Sequence, residues 1–443
     1  MIETLKRIRA GFDAAGYTVA GVRELLGPVA GGALARDEIG PALRVTGGGS
    51  PLETLTRLLW LQVPVAPSGP LTDDLVAAGL ADWSAGEVRA TVHVEPLESL
   101  HGDADVGYVV SDLKVRPGAV APVAVDHVVG VGGASANLAQ LVVHRPVDSA
   151  LDLGTGSGVQ ALQLAGRAKS ICATDVNPRA LELAELSFAL SGLDGVELMQ
   201  GSLFEPVRGR TFDLIVSNPP FVVSPDGRFT YRESSLPGDE ICRRLVADAP
   251  SQLADGGWCQ LLANWLHVGD QPWEERVGEW LAASGCDAWA VQRDVQDPAE
   301  YAELWLRDSC EAGTPEYRER YDAWLDQFER QGVAGIGFGW ISLRKSGTDR
   351  PAVRVEELRH GVRQPVGCYV EKILKGLVDA QDFSTALSTG DSTGRLRTAA
   401  GIVQEQIGQP GAPDPERIVL RQTEGLRRAA GVGTVEAALA GVC

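Results

Sequence analysis

Between Ser149 and Leu343 the chain alternates short apolar runs with amphipathic stretches of helical spacing. Apolar runs of four to eight residues closed by turn residues read as buried strands, and apolar positions recurring at three and four read as helices. The pattern predicts strands at Ser149–Leu153, Ser170–Asp175, Val196–Gln200, Asp213–Ser217, Cys259–Asn264, Cys286–Gln292 and Gly335–Leu343. Between them it predicts helices at Val159–Ala168, Arg179–Leu190, Asp239–Ala249 and Trp273–Ser284, and a long helical insertion at Pro298–Gln331. Seven strands separated by helices make an α/β, doubly wound sheet.

Both flanks read differently. Residues 1–106 carry amphipathic helical patterns at Ile2–Ala15, Val19–Leu26, Pro51–Gln62 and Leu71–Ala78, then a strand-like alternation over Gly86–Val94. Helices followed by β-structure suggest a winged-helix-like module for substrate recognition. Beyond Lys345 the pattern turns mainly helical, with Gly/Pro breaks at Ser388–Gly394 and Gly408–Asp414. The expected organisation is an N-terminal domain over 1–106, a catalytic domain over 107–345 and a C-terminal accessory domain over 346–443.

The strand Asp213–Ser217 ends in Asn218-Pro219-Pro220-Phe221. Prolines cannot continue a ladder, so the chain must leave the sheet at Asn218. The Pro-Pro step leaves carbonyls as acceptors beside the Asn218 amide, an arrangement suited to a substrate –NH2 group. Phe221 supplies a flat face on which a planar amide or base could stack. A strand followed by a Pro-rich turn is the plainer alternative.

Upstream, Leu151-Asp152-Leu153 enters Gly154-Thr155-Gly156-Ser157-Gly158 and then a helix. Glycines there allow a close backbone approach to a ligand, and the helix start offers unpaired N–H groups. The G-x-G-x-G spacing differs from the dinucleotide fingerprint and lacks the Lys of a phosphate-binding P-loop. Asp175 closes the next strand, where a ribose-hydroxyl acceptor belongs; a helix N-cap before Asn177-Pro178 is the other reading. Gly201-Ser202-Leu203-Phe204 after the third strand reads as one edge of an adenine pocket.

In that order, LDLGTGSG, TDVNP, GSLF and SNPPF resemble the class I S-adenosylmethionine-dependent methyltransferases with an NPPF motif, in the branch that methylates planar nitrogens. The resemblance covers about Ala124 to Lys345, half the chain, and implies a Rossmann-like methyltransferase sheet whose seventh strand runs antiparallel. It implies that Asp152, Gly154, Thr155, Gly156 and Gly158 hold the methionine moiety, that Asp175 with Val176 holds the ribose, and that Ser202 and Leu203 flank the adenine. The family usually has Asp where Ser202 stands, so an uncharged acceptor replaces a charged one. By the same resemblance Asn218, Pro219 and Phe221 are the catalytic set, with Asn218 also near the cofactor, and Pro220 shapes the loop beside the substrate.

Tyr231 and Arg232, in the polar loop after Phe221, are candidate substrate contacts, and Asp126–Ser135 is a candidate lid in which His127 could take part. Two acceptors fit. The leading reading is a nucleobase amino group in ribosomal RNA, as in the small-domain ribosomal guanine methyltransferases. The alternative is N5-methylation of a protein glutamine of release-factor type, although the Pro-Arg-Pro-rich segment of those enzymes is replaced here by Gly130–Ser135. A catalytically idle binding module disagrees with intact Asp152, Asp175 and Asn218.

Composition narrows the picture further. The 443 residues are 44% hydrophobic and contain no run of 18 apolar residues, and the N-terminus lacks a signal-peptide pattern, so a cytoplasmic bacterial enzyme with no membrane partner is expected. Seven cysteines lie scattered without C-x-x-C, which argues against structural metal or an iron–sulfur cluster. The net charge of −19 argues against an extended nucleic-acid face. From Arg344 onward there are 14 Lys/Arg against 12 Asp/Glu, and Arg350, Arg354, Arg359, Arg363, Lys372 and Lys375 could contact phosphates; a solvated helical face is the alternative.

Overall fold

The structure, a computed structural model, describes all residues except 68, 100–104, 116–123, 226–232, 234, 235, 270, 309–313, 390–396, 412 and 443. Its centre is one sheet built from β1 (Val147–Leu153), β2 (Ala168–Asp175), β3 (Glu197–Gln200), β4 (Phe212–Ser217), β5 (Leu253–Val268), β6 (Asp287–Gln296), β7 (Val333–Arg344) and β8 (Val353–Glu357). The spatial order is β3-β2-β1-β4-β5-β7-β6-β8. Strands β1 to β5 pair in parallel, and β7 runs antiparallel to both β5 and β6, as the resemblance implied.

Helices cover both faces. The order reverses between β1 and β4, so the loops after these strands diverge and open a crevice, where open α/β sheets bind ligands. Buried Leu151, Val216, Ile215 and Leu261 fill the sheet's middle. Buried Cys172, Cys242, Cys259 and Cys286 lie in the same interior as free thiols.

Three expectations change. Among the described residues the sheet has eight strands rather than seven, because Val353–Glu357 adds to the open edge of β6 in parallel register. Its sequence Val-Arg-Val-Glu-Glu, with both ends of the strand exposed, has no continuous apolar run. The segment Gly86–Val94 is not one strand: Ala85 and Gly86, at φ 55° and 85°, close a tight hairpin between Ala81–Ser84 and Glu87–Ala90, and His93–Glu98 then pairs with Asp105–Ser111. The C-terminal region is not mainly helical either. After the helix Gly367–Thr389 come three antiparallel strands, Ile402–Ile407, Arg417–Gln422 and Ala429–Val432, and a closing helix Thr434–Val442. These short strands expose much of their length, and the Gly/Pro turns between them look like helix breaks in sequence.

The N-terminal helices Ile2–Ala15 and Val19–Leu34 share a core with the sheet's own helix Pro178–Ser191: Leu5, Ile8, Phe12, Tyr17 and Val22 cluster with Ala180, Leu183 and Leu190. Phe12 sits edge-on to Tyr17 and Tyr108, with centroids 5.2 and 4.9 Å away. Emptying such a site by Phe→Ala costs about 3–5 kcal/mol. Hydroxyls of Ser187 and Ser191 accept from the N–H groups of Val110 and Tyr108, both at 2.8 Å, and so seat the hairpin 93–111 on that helix.

Candidate active site

A cavity of about 380 Å³ opens at the C-terminal ends of β1, β2 and β4, within the range that holds a nucleoside-sized ligand. At one end lies the glycine loop. Gly154, Gly156 and Gly158 have φ of 74°, 54° and 88°, values that side chains rarely adopt, and a Cβ at Gly158 would sit 2.6 Å from Phe188. Gly154, Thr155 and Gly156 line the cavity; Gly158 instead starts the helix Val159–Leu164 behind it.

Asp152 lies behind the loop rather than in the cavity wall. Its Oδ2 accepts from the Thr155 hydroxyl at 2.7 Å and the Ala161 N–H at 3.0 Å, while its Oδ1 is buried with no hydrogen-bond partner among the described residues. Burial pushes its carboxyl up to about 7, although those two donors pull the other way.

Asp175 faces the cavity. Its Oδ2 accepts from Gly156 N–H and its Oδ1 from Asn177 N–H, both at 2.9 Å, so one carboxylate ties the tip of β2 to the glycine loop. Burial raises its pKa, opposed by these N–H groups. The helix N-cap is Asn177, whose side chain accepts from Arg179 N–H with Pro178 in the first turn. Val176, Ser202 and Leu203 complete this end, and Leu203 holds a left-handed φ of 49°.

At the other end are Ser217, Asn218, Pro219 and Pro220. The Ser217 hydroxyl donates to the Leu153 carbonyl at 2.8 Å, which binds β4 to β1 just before the motif. Asn218 Oδ1 is buried with no hydrogen-bond partner among the described residues. A buried amide oxygen left without a donor costs about 1–3 kcal/mol. The Pro219 carbonyl accepts from Phe221 N–H at 2.8 Å, which turns the chain sharply and leaves one lone pair.

Phe221 departs from expectation: it does not line the cavity but packs half-buried against three apolar clusters. Val223 beyond it is pinned by its N–H donating to the Tyr301 hydroxyl at 3.0 Å, an oxygen that also accepts from Asn264 at 3.0 Å. Tyr231 and Arg232 lie outside the described residues.

Several cavity residues had no signal in the sequence pattern. Glu233 is buried in the wall and accepts from the Ser224 hydroxyl at 2.8 Å, and Arg244 comes from the helix Glu240–Gln252, where it pairs with Glu240 at 2.9 Å. Gln160 could have been found from its place two residues past the glycine loop. The roof is the segment His127–Gly130, with the His127 ring 3.8 Å from Asp112; burial lowers the His127 pKa. Among the described residues no His/Cys/Asp/Glu group could hold a metal ion, and no helix is long and apolar enough to cross a membrane.

Residues 129–279 match the family described as Methyltransferase small domain. That match takes in the glycine loop, Asp175 and Asn218. Residues 14–91 match a domain of unknown function (DUF7059). The chain is 35% identical over 169 residues to a release factor glutamine methyltransferase of Xylella fastidiosa, covering 35% of this chain and 59% of the relative. It is 36% identical over 114 residues to ribosomal RNA small subunit methyltransferase C of Alcanivorax borkumensis, covering 26% of this chain and 31% of that one. The chain thus spans a third to three fifths of these relatives' length. A solved methyltransferase from Pyrococcus furiosus aligns with 45% of this chain and 76% of its own at 17% identity and a TM-score of 0.27. The resemblance read from LDLGTGSG through SNPPF therefore stands on the family match and on relatives of both acceptor types.

Proposed function

We propose that the protein is an S-adenosylmethionine-dependent N-methyltransferase acting on a planar amide or amino nitrogen. One observation carries the reading: a single cavity joins the glycine loop and Asp175 to Asn218, whose buried side-chain oxygen lacks a donor among the described residues. The residues fit the cofactor. Gly154 and Gly156 offer backbone with no side chain in the way, Asp175 offers a carboxylate to ribose hydroxyls, and Ser202 with Leu203 offers an edge to adenine. S-adenosylmethionine supplies the methyl group there and leaves as S-adenosylhomocysteine.

The chain's part is to hold the acceptor. Asn218 Oδ1 and the remaining lone pair of the Pro219 carbonyl accept the two N–H groups of a planar nitrogen. These bonds strengthen as the nitrogen loses conjugation and gains positive charge, so they stabilise the transition state more than the ground state. Pro220 and the fixed turn after it restrict where the nitrogen can sit, which is acceleration by orientation. Phe221 supports the loop from below. In this reading the catalytic unit is the central sheet with its helices, and it reaches past the expected bounds of 107 and 345 because the strand Asp105–Ser111 pairs with His93–Glu98 and β8 at Val353–Glu357 belongs to the sheet; the helices before and the strands after are accessory.

A protein glutamine is the acceptor that the charge distribution favours. Of the basic cluster, Arg354 pairs with Glu356 at 3.6 Å, Arg359 with Glu357 at 2.9 Å and Arg363 with Glu424 at 2.5 Å, so these cations are already matched in a chain of net charge −19. A ribosomal RNA amino group is the second reading, supported by the similarity to the ribosomal RNA methyltransferase. The test is transfer of labelled methyl from S-adenosylmethionine into a lysate of cells lacking the protein, followed by separate ribonuclease and protease digestion. Label released by protease as N5-methylglutamine is expected. Label released by ribonuclease selects the second reading, and no label in either fraction contradicts both.

A further inference from the structure

The roof of the cavity is fastened from two sides, and one of them lies outside the methyltransferase match. Toward the cofactor loop, the Ser157 hydroxyl donates to the Val129 carbonyl at 2.9 Å, Gln160 to the Ser135 carbonyl at 2.8 Å and Asn177 to the Asp126 carbonyl at 2.8 Å. Toward the N-terminal region, the Val131 N–H donates to Glu95 Oε1 at 2.9 Å, and the Val128 N–H donates to Asp112 Oδ2 at 2.8 Å. The carbonyls of Asp126, Val129 and Ser135 face the cofactor loop, whereas Val128 is tied to Asp112 through both its N–H and its carbonyl, which accepts from the Asp112 N–H at 3.0 Å. Both carboxylates belong to the hairpin 93–111 and the residue after it, which is seated on the helix Pro178–Ser191.

Each carboxylate is itself braced. Glu95 is buried with His93 at 3.7 Å and Lys114 at 3.9 Å; burial opposes its charge, yet these neighbours and the Val131 N–H hold its carboxyl below the usual range. Asp112 takes Arg179 Nε at 2.9 and 3.1 Å on its two oxygens. Arg179 stands in the first turn of the helix that Asn177 caps, so Asp112 links the roof to the strand tip that carries Asp175. Contact at Gly130 is tight: a Cβ there would lie 2.6 Å from Glu95 Oε1 and 2.8 Å from Ser111 Oγ. Val128 is buried in the N-terminal core.

We propose that Glu95 and Asp112 are positioning residues for cofactor capture: they clamp the 126–135 roof over the glycine loop, and so make the N-terminal hairpin a structural part of the cofactor site. A hydrogen bond from N–H to a braced carboxylate is charge-assisted and stronger than a neutral one. With both in place the roof is ordered before ligand arrives, and binding is spared the cost of ordering it. The inference rests on the cavity being the cofactor site.

The test is amide hydrogen exchange without ligand, paired with calorimetric titration of S-adenosylhomocysteine. In the unliganded natural protein the Val128 and Val131 amides exchange as slowly as those of the neighbouring strand residues Val109 and Val110. Glu95→Ala speeds exchange at Val131 and weakens S-adenosylhomocysteine binding about tenfold, the loss of one charge-assisted bond. Glu95→Gln, which keeps an acceptor, stays within about threefold of the natural protein. Asp112→Ala acts likewise at Val128. Fast exchange at Val131 in the natural protein, or unchanged exchange and affinity in Glu95→Ala, overturns the clamp. If Glu95→Ala does not fold, slow Val131 exchange in the natural protein and in Glu95→Gln supports the clamp, and fast exchange in either overturns it. Absence of S-adenosylhomocysteine binding by the natural protein, with slow exchange intact, overturns the cofactor reading and leaves the clamp standing.

Discussion

The two ends of the cavity treat their polar groups in opposite ways. At the glycine-loop end, Asp175 has each oxygen bonded to a backbone N–H of its own chain, and the roof above has its bonds satisfied from both sides. At the NPPF end, Asn218 presents a buried oxygen without a donor among the described residues. On its cavity face the first end is tied before any ligand binds, with the unpartnered Asp152 Oδ1 buried behind the loop, whereas in the proposed reading the second end is completed by a donor from the acceptor. In the proposed reading, a site built this way keeps cofactor affinity and methyl transfer on separate residues. It also stores a modest instability where chemistry takes place, since unsatisfied groups persist where the surrounding structure over-determines them.

Asn218→Ala attacks the acceptor end and has the largest expected effect. Methyl transfer falls about a hundredfold or more, because the lost bonds count mainly in the transition state; single-turnover transfer with labelled cofactor measures it, and intact turnover would make Asn218 structural. Asp175→Ala attacks the other end. It removes the proposed ribose acceptor together with one tie to the glycine loop and one to Asn177, and weakens cofactor binding by about 1–3 kcal/mol. Unchanged affinity would remove Asp175 from the pocket.

A smaller effect concerns pH. The buried Asp152 carboxyl, pushed up to about 7, holds its proton in the folded chain where an unfolded aspartate with a pKa of about 3.9 has lost it. The folded state then binds more protons than the unfolded one, so this group lowers stability as pH rises from about 4 to 7 and adds no further change above. Asp152→Asn should flatten that part of the melting-temperature profile. A profile parallel to the natural protein's would show Asp152 to be ionised in the fold. The smallest effect is expected outside the cavity: Arg354, Arg359 and Arg363 changed together to Ala should leave transfer within about twofold and its salt dependence unaltered, since their charges are already paired. A shallower salt slope would return phosphate contacts to the account.

Much of this division was readable along the chain because each end is coded by a few consecutive residues. Gly154–Gly158 declares its backbone shape, and the prolines after Asn218 force the exit from β4 at one place. What escaped depends on partners far apart in sequence. Glu95 meets Val131 across 36 positions, and Asp112 meets Arg179 across 67, with no local pattern to announce either. The flat ring of Phe221 and the family resemblance suggest a stacking face there, but the ring packs against the apolar cluster of Val222, Val223 and the helices of the 298–330 insertion. The edge strand β8 escaped because a strand with exposed ends needs no apolar run, only a neighbour with unpaired backbone.

The division itself is tested most directly by calorimetric titration of S-adenosylhomocysteine into the natural protein and into Asn218→Ala. The account predicts one site in each, with dissociation constants agreeing to within about threefold. A loss of tenfold or more in Asn218→Ala would mean that the acceptor end helps to hold the cofactor, and would contradict the separation.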